Sequence, residues 1–483
     1  RGSTRRVPST ATVALEADAS LDALVDRCRA LVQAKRLTAQ ADLVVVLQTE
    51  NDVASPPPPP ATQRQQQRAG VAVTSSSPRR KVVVLGAGLV ARPLVEELRR
   101  DCDVTVVAES VEDLTKFSSG VTLRRGRVPE VLDQVLARDA VAVSVLPPAL
   151  HAAVARACAA VGTHLLTASY ASPDIKDLAR REFAPEGLIL AAEAGLDPGI
   201  DHASAVRLIA AARGLPDFRA IDSFSSVCGG LYDRSHEEDN PLAYKFSWSP
   251  RGVFAALEQP ARYRRDGRVV DVADVVAAEE PYGGFAGQEL RVLPNRDALP
   301  YAEAYGLPPE ADVFRGTLRF AGFAAAVRGL RGLGYLRSVS TTTQTCNDDD
   351  LAAARAVLAA LPPDVPLGDA FADQLGRHFA LRPGDRDLVL MRHELVVSLA
   401  SGRKKMLSST LRVLGDPDDS AMARTVGLAA ALTARAAFFD EKSLRSSSSC
   451  GGLVLPTHPH IYPSLLAGLA DRGIAFDEQE QDL

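Results

Sequence analysis

A glycine-rich segment, residues 86–91, follows directly on the apolar run 82–85 and reads GAGLVA. In this GxGxxA spacing, the first glycine allows a tight turn and the second lets the backbone approach a pyrophosphate, while the small last residue lets a helix pack on the strand. The free N–H groups at the start of that helix favour negative phosphates. The segment therefore predicts a dinucleotide site with contacts from Gly86, Ala87, Gly88, Leu89 and Val90.

An acidic residue, Glu109, closely follows the second apolar run, 104–107. At this position in a dinucleotide-binding fold, a carboxylate hydrogen-bonds the adenosine ribose hydroxyls and repels a 2′-phosphate. No arginine is adjacent to Glu109 in the sequence, which favours NAD over NADP. We therefore expect NAD as the cofactor, with NADP as the alternative.

Three further apolar runs lie C-terminal to this one, and each leads into a polar or glycine-rich segment. These segments begin at Pro147, Ala168 and Glu193. In an open parallel sheet, ligands bind beyond the carboxyl ends of the strands. We therefore expect all three segments to border the dinucleotide site.

The elements that must position these residues alternate between strand and helix. Apolar runs typical of buried strands are separated by segments with helical periodicity from residue 81 to about residue 192. Strands separated by helices predict a parallel sheet built from βαβ units. After about residue 221 the pattern changes to mixed strand, loop and Ala-rich helix. The predicted fold class is α/β, a Rossmann-type doubly wound parallel sheet with an inserted α+β substrate-binding and dimerisation domain.

Composition divides the chain into five parts. Residues 1–50 predict a small αβ module, and residues 51–80, with a polyproline run and a Gln/Ser tract, predict a disordered linker. Residues 81–202 predict the Rossmann NAD-binding domain, and residues 203–440 the α+β substrate domain. Residues 441–483 predict a C-terminal segment that returns to the Rossmann domain.

The composition also excludes several classes of protein. Charged residues make up 24% of the 483 residues and the net charge is −5, so there is no basic field to bind nucleic acid. No apolar run reaches the roughly 18 residues that a membrane span needs. The six cysteines show no CxxC or Cys/His spacing, so we expect neither a zinc site nor a redox motif.

The segment 195–202, GLDPGIDH, resembles the signature of the glutamate-forming saccharopine dehydrogenases. The resemblance continues in CGG at 228–230, YKFSWSPRGV at 244–253, PNRD at 294–297 and RGTLR at 315–319. Several ordered motifs of this length are much more specific than GxGxxA. The resemblance implies that saccharopine, water and NAD(P)+ give glutamate, 2-aminoadipate 6-semialdehyde and NAD(P)H.

The resemblance also implies roles for individual residues. Saccharopine carries three carboxylates and two amines, so its site needs fixed cations, and arginine binds carboxylates in a bidentate way. The implied substrate contacts are Ser169, Tyr170, Asp197, Arg296, Thr317, Leu318 and Arg319. The implied cofactor contacts, besides the glycine-rich segment and Glu109, are Leu146, Thr167, Ser169, Leu196, Pro198, Trp248 and Ser249.

The proton acceptor stays open among several residues. Oxidation requires a deprotonated amine, and imine hydrolysis requires a proton shuttle. The catalytic candidates are Lys245, Asp197 and Tyr170, and Lys245 could instead pair with a substrate carboxylate. His202 is a further candidate, although we favour a role for it as the cap of the helix that it opens.

Two alternatives to this activity stay open. One is another NAD(P)-dependent dehydrogenase that acts on a different amino or imino acid. The other is an NAD-binding protein that has lost its catalysis, because dehydrogenase-like folds can keep the nucleotide site alone.

The start of the chain bears on its assembly. The chain starts at Arg1 and not at Met, and residues 13–32 resemble the region that joins two enzymes in the bifunctional aminoadipate semialdehyde synthases. We therefore expect a fragment of a longer protein, fused to a lysine–ketoglutarate reductase. We also expect a homodimer in the cytoplasm, with mitochondria as the alternative compartment.

Overall fold

The computed structural model describes residues 79–483, apart from 118–119, 237–239, 338–345, 417, 441–443 and 445–450. The predicted module at 1–50 and nearly all of the predicted linker at 51–80 lie outside the described residues. All of the described residues belong to a single compact unit. None of the helices described in this part of the chain is long and apolar enough to cross a membrane.

The strands of the described residues form two sheets. Their bounds are β1 (Arg80–Leu85), β2 (Cys102–Ala108), β3 (Thr122–Arg125), β4 (Val141–Ser144), β5 (His164–Thr167), β6 (Ile189–Ala191), β7 (Phe218–Tyr232), β8 (Ala261–Arg265), β9 (Arg268–Val272), β10 (Glu280–Tyr282), β11 (Leu290–Pro294), β12 (Asp312–Phe320), β13 (Asp387–Leu399), β14 (Lys404–Leu414), β15 (Gly452–Val454) and β16 (Phe476–Asp482).

The α-helices cover the faces of these sheets. Their bounds are α1 (Ala91–Leu98), α2 (Val111–Leu114), α3 (Leu132–Val135), α4 (His151–Val161), α5 (Pro173–Leu178), α6 (Ile200–Arg213), α7 (Pro250–Leu257), α8 (Leu299–Ala304), α9 (Phe323–Gly332), α10 (Asp348–Ala360), α11 (Asp369–His378), α12 (Ala421–Ala434) and α13 (Tyr462–Ala470).

The first sheet has seven strands in the order β15-β6-β5-β4-β1-β2-β3, and all of its pairs are parallel. Its central strands are buried on both faces, since Val82–Leu85 of β1 and all four residues of β4 are buried. Helices alternate with the strands along the chain, so the predicted Rossmann-type sheet is confirmed. The edge strand β3 was not predicted, because all four of its residues are exposed and form no apolar run.

The second sheet has nine strands of mixed direction and is built around the 15-residue strand β7. Strand β7 pairs parallel to β12 and antiparallel to β13. The β7–β12 register sets Thr317 opposite Cys228. The predicted mixed α+β part of the fold class is confirmed by this sheet and its helices.

The two sheets share one apolar core. Val84 of β1 belongs to the same buried cluster as Val389 of β13 and Leu411 of β14. The C-terminal residues contribute to both sheets, since β15 pairs with β6 and β16 pairs with β14. The segment between β6 and α6 is held by the first sheet, because the Ala192 N–H donates to the Val454 carbonyl of β15 and the Ala194 N–H to the Thr167 carbonyl of β5.

Candidate active site

The glycine-rich segment has the shape that a pyrophosphate needs. Gly86 has a φ of +102°, and its N–H donates to the Val107 carbonyl at 2.9 Å. A Cβ on Gly86 would lie 3.3 Å from the side chains of Val145 and Leu146, whereas a Cβ on Gly88 would meet nothing within 4 Å. Ala87 is buried and Leu89 is 61% exposed. The turn before α1 is thus tight on one side and open at Gly88, which fits a dinucleotide phosphate.

The adenosine end of this crevice carries both an acid and an arginine. Glu109 is exposed immediately after β2. Arg125, at the end of β3, lies opposite Ala108, and its Nε donates to the Glu109 carbonyl at 3.2 Å. Among the described residues Arg125 makes no ion pair. Neighbouring strands therefore bring an arginine beside Glu109 that adjacency in the sequence does not reveal.

A neutral histidine organises the ends of β4 and β5. His151 Nδ1 hydrogen-bonds the Ser144 hydroxyl at 3.1 Å, and its Nε2 hydrogen-bonds the Ser169 hydroxyl at 2.9 Å. Burial lowers the pKa of His151 to about 4, so the ring is neutral near pH 7. Thr167 ends β5 and is buried, and Leu146 is half-buried just beyond β4. Leu146, Thr167 and Ser169 thus lie along the carboxyl edge of the first sheet.

The loop 193–199 folds back on itself. Gly195 N–H donates to the Pro198 carbonyl at 2.9 Å, and Gly199 N–H donates to Asp201 Oδ1 at 2.6 Å. Gly199 has a φ of +145°, and a Cβ there would lie only 2.1 Å from the Gly195 carbonyl. Only glycine fits such a close approach. Leu196 and Pro198 are buried within the loop, and the carboxylate of Asp197 emerges from it.

Asp197 joins a cluster of polar groups from both sheets. The Tyr170 hydroxyl donates to Asp197 Oδ1 at 2.6 Å. Arg315 Nη2 donates to the same oxygen at 2.6 Å and to Asp201 Oδ2 at 2.7 Å. The Arg315 guanidinium also lies over the Tyr301 ring, 4.2 Å from its centroid. One loop of the first sheet and one strand of the second sheet therefore meet in a single hydrogen-bonded cluster.

The protonation states in this cluster follow from burial and from charge. Burial raises the pKa of Tyr170 well above its usual value, so the phenol keeps its proton. Burial alone would lower the pKa of Arg315, but Tyr170, Asp197 and Asp201 together raise it well above its usual value. Two carboxylates face one guanidinium, which leaves a net negative charge. Oδ2 of Asp197 receives no hydrogen bond from the described residues, and the side chain is 14% exposed.

Two other arginines close to this cluster have no carboxylate partner among the residues that the structure describes. Arg296, with a φ of +56°, lies over the Tyr170 ring at 4.6 Å from its centroid. Arg319 is 3% exposed and lies over the Tyr244 ring at 5.0 Å. Burial lowers the pKa of Arg319, and neither arginine makes an ion pair with a described residue. A buried cation without an acid is expensive, so Arg319 is suited to bind a carboxylate of a ligand, and the half-buried Arg296 can bind a second one.

Strand alternation separates the remaining residues predicted on β12. Thr317 lies on the same face as Arg315 and Arg319, because side chains two positions apart share a face of a strand. Leu318 lies on the opposite face with no exposed surface, packed against Gly229. The structure therefore brings Thr317 towards the cluster and places the Leu318 side chain in the core.

The residues predicted on the segment 244–253 have contacts of their own. Lys245 Nζ donates to Asp385 at 2.8 Å, and none of its hydrogen bonds reaches the Asp197 cluster. Trp248 Nε1 donates to the Tyr244 hydroxyl at 3.1 Å. The Ser249 hydroxyl accepts the Gly252 N–H and caps α7. Trp248 is thus linked to the Arg319 neighbourhood through Tyr244.

Several site residues were not singled out from the sequence. Arg315 and Asp201 are central to the cluster, and Glu193 binds His202, whose Nε2 lies 2.8 Å from the Glu193 carboxylate. The predicted cap role of His202 is wrong, because α6 begins after Gly199 without a side-chain cap and His202 is buried, with its Nδ1 hydrogen-bonded to the Tyr305 hydroxyl at 2.6 Å. The period-two spacing of 315, 317 and 319 is the signal that could have found Arg315.

An open glycine turn at the carboxyl edge of a doubly wound parallel sheet defines a class of protein. It is the class of Rossmann-type proteins, whose glycine turn is suited to bind a dinucleotide. Residues 82–188 match the family model "Saccharopine dehydrogenase NADP binding domain", and residues 195–474 match "Saccharopine dehydrogenase C-terminal domain". The chain belongs to the saccharopine dehydrogenase family, which confirms the predicted resemblance.

Similar proteins differ in length. "Alpha-aminoadipic semialdehyde synthase, mitochondrial" of Bos taurus is 32% identical over 448 residues, which are 82% of this chain and 47% of that protein. "Saccharopine dehydrogenase [NADP(+), L-glutamate-forming]" of Saccharomyces cerevisiae is 30% identical over 451 residues, 82% of this chain and 98% of that protein. The chain spans about half the length of the mammalian relative.

Solved structures agree with this assignment. The apo saccharopine dehydrogenase (L-Glu forming) from Saccharomyces cerevisiae superposes with a TM-score of 0.70 at 28% identity, and the match covers 83% of this chain and 100% of that one. A homospermidine synthase from Legionella pneumophila has a TM-score of 0.52 at 11% identity and shares the fold.

Proposed function

We propose that the chain oxidises L-saccharopine with water and a nicotinamide dinucleotide to L-glutamate and 2-aminoadipate 6-semialdehyde. One observation carries the proposal. Within the described part of the chain, Asp197 Oδ2 has no hydrogen bond and lies in a negatively charged cluster, and the two nearby arginines, Arg296 and Arg319, have no carboxylate partner. That pattern complements a ligand with both amines and carboxylates, which is the chemistry of saccharopine. The family names of the relatives support the same reaction.

The residues of the cluster divide the work of the reaction. Arg296 and Arg319 bind two substrate carboxylates, and Thr317 lies next to Arg319 on the same face of β12. Asp197 accepts the proton of the secondary amine through Oδ2, while Tyr170 and Arg315 hold Oδ1. A bound oxidised dinucleotide would supply the acceptor for the hydride that leaves the carbon beside that nitrogen. The imine that remains takes up water and separates into the two products.

One set of observations supports NADP as the cofactor, and another supports NAD. The names of the fungal relatives specify NADP(+), and Arg125 beside Glu109 supplies a cation for a 2′-phosphate. We therefore propose NADP as the preferred cofactor. Glu109 supports NAD, because a carboxylate at this position binds ribose hydroxyls and repels a phosphate.

The assembly belongs to the proposal as well. We propose a homodimer and, in the full-length protein, fusion to a lysine–ketoglutarate reductase. Size-exclusion chromatography with light scattering tests the dimer, which a monomer at micromolar concentration would contradict.

Absorbance at 340 nm tests the reaction, because only the reduced dinucleotide absorbs there. We expect a rise when saccharopine is added with either NAD+ or NADP+. Binding of the dinucleotide without any turnover of saccharopine would instead support the alternative of a nucleotide-binding protein without catalysis.

A further inference from the structure

Glu193, at the start of the loop that carries Asp197, has an unusual backbone conformation. Its φ is +61°, and the residue is 4% exposed. Glycine adopts a positive φ at no steric cost, whereas a residue with a side chain does so at a cost that its surroundings must offset. A buried acid at such a position is therefore explained by what its carboxylate binds, and not by the turn alone.

The contacts of Glu193 hold both sides of Tyr170. Its backbone N–H donates to the Ser169 carbonyl at 3.1 Å, and its Oε1 accepts the Ala171 N–H at 3.0 Å. These two hydrogen bonds fix the residues immediately before and after Tyr170. The phenol of Tyr170 must in turn reach Asp197, and its ring lies beneath Arg296.

The second carboxylate oxygen of Glu193, Oε2, is held by His202. His202 Nε2 lies 2.8 Å from Oε2, and the imidazole stacks on the Tyr301 ring with centroids 5.2 Å apart. Burial would raise the pKa of Glu193, but the His202 hydrogen bond and charge and the Ala171 N–H lower it, so the group is a carboxylate. Glu193 therefore joins the Tyr170 segment to helix α6, which begins directly after the Asp197 loop.

We infer that Glu193 is a positioning residue that acts through Tyr170 on the proton acceptor and on one carboxylate anchor. The inference rests on the proposed function. Without the carboxylate, the 169–171 segment loses the hydrogen bond that holds the Ala171 N–H. The Tyr170 hydroxyl then leaves the position from which it donates to Asp197, and the Tyr170 ring under Arg296 shifts as well.

The variants Glu193→Gly and Glu193→Gln separate the roles of the side chain. Glycine removes the carboxylate and tolerates the positive φ, so it keeps the fold while losing the Ala171 contact. Glutamine keeps an oxygen for the Ala171 N–H. We expect kcat of the glycine variant to fall by up to about a hundredfold, because small misplacements of reacting groups can slow a reaction by that much. We expect glutamine to keep most of the activity.

A double-mutant cycle with Tyr170→Phe tests whether Glu193 acts through Tyr170. In the Tyr170→Phe background, we expect Glu193→Gly to change kcat by less than about twofold, because the hydroxyl through which it acts on Asp197 is already gone, whereas its effect on KM through the ring under Arg296 should remain. As a control, Asp274→Asn breaks the buried Asp274–Arg331 ion pair elsewhere in the fold, and its effect should be the same in both backgrounds. Independent, multiplying effects of Glu193→Gly and Tyr170→Phe would overturn the inference.

A crystal structure of Glu193→Gly keeps this test apart from the proposed function. If the wild-type protein does not turn over saccharopine, the proposed function fails, while the distance from the Tyr170 hydroxyl to Asp197 still reports on Glu193. A distance beyond hydrogen-bonding range supports the positioning role. A distance that stays at the wild-type 2.6 Å would overturn it.

Discussion

Replacing Arg319 by methionine should separate binding from stability. Arg319 is 3% exposed, its pKa is lowered by burial, and it makes no ion pair with a described residue. Methionine has a similar length and no charge, so it removes a buried cation without leaving a large cavity. The substitution loses contacts with the Tyr244 and Phe323 rings, worth about 0.5–2 kcal/mol, but it also removes an uncompensated buried charge. We therefore expect the free energy of unfolding to change little.

The same substitution should greatly weaken the reaction. Truncating one partner of a buried, hydrogen-bonded charge pair costs about 2–5 kcal/mol. At about 1.4 kcal/mol for each factor of ten, kcat/KM for saccharopine should fall by about 30-fold to about 4000-fold. The loss has this size because the substrate carboxylate would lie in a buried site without its cation.

Arg315→Met is the matched control, four residues away on the same face of β12. It leaves Asp197 and Asp201 without their shared cation, and breaking such a buried pair costs about 3–5 kcal/mol of unfolding free energy. Urea unfolding and steady-state kinetics on both variants test the contrast. If Arg319→Met loses as much stability as Arg315→Met, or oxidises saccharopine like the wild type, Arg319 does not bind a substrate carboxylate.

Three further predictions concern the cofactor, the pH dependence and a catalytic candidate. Arg125→Ala should weaken the binding of NADPH by about tenfold or more without affecting the binding of NADH, and Glu109→Arg should shift the preference towards NADP. Fluorescence titration with both dinucleotides measures these affinities. Equal effects on the two dinucleotides would refute the assignment. Burial lowers the pKa of His151 in the folded protein to about 4, below the roughly 6.5 of an unfolded histidine. The neutral ring therefore contributes fully to the free energy of unfolding above about pH 6.5, and this contribution is lost as the pH falls towards 4. His151→Gln should reduce this pH dependence in urea unfolding, whereas the same change at exposed His460 should leave it as steep as in the wild type. Lys245→Met removes a partly exposed ion pair worth about 0–1 kcal/mol and should change kcat little, while a hundredfold loss would establish Lys245 as catalytic.

The parallel sheet could be predicted because its strands are buried on both faces. The segment that begins at Ala168 was predicted to follow a buried strand, and β5 ends directly before it at Thr167. Strand β3 gives no such signal, because its residues are exposed at the sheet edge. Arg125 lies on β3, and only the pairing of β3 with β2 brings it to Glu109. The cofactor prediction from the sequence therefore did not include Arg125.

Only those residues of the candidate site that lie in recognisable sequence motifs could be predicted. Asp197, Tyr170 and Arg319 were named from the resemblance, and the structure places all three in or beside the cluster. Arg315 was passed over because its importance depends on two carboxylates that the fold brings to it. The Lys245–Asp385 pair joins residues far apart in the sequence, so no local pattern could reveal it.

The most direct test of the central claim is the absorbance at 340 nm after saccharopine is mixed with the protein and either NAD+ or NADP+. The proposed function predicts a steady rise that requires saccharopine and that Arg319→Met nearly abolishes. No rise with either dinucleotide, from a folded protein that binds them, would contradict the claim that this chain is a saccharopine-oxidising enzyme.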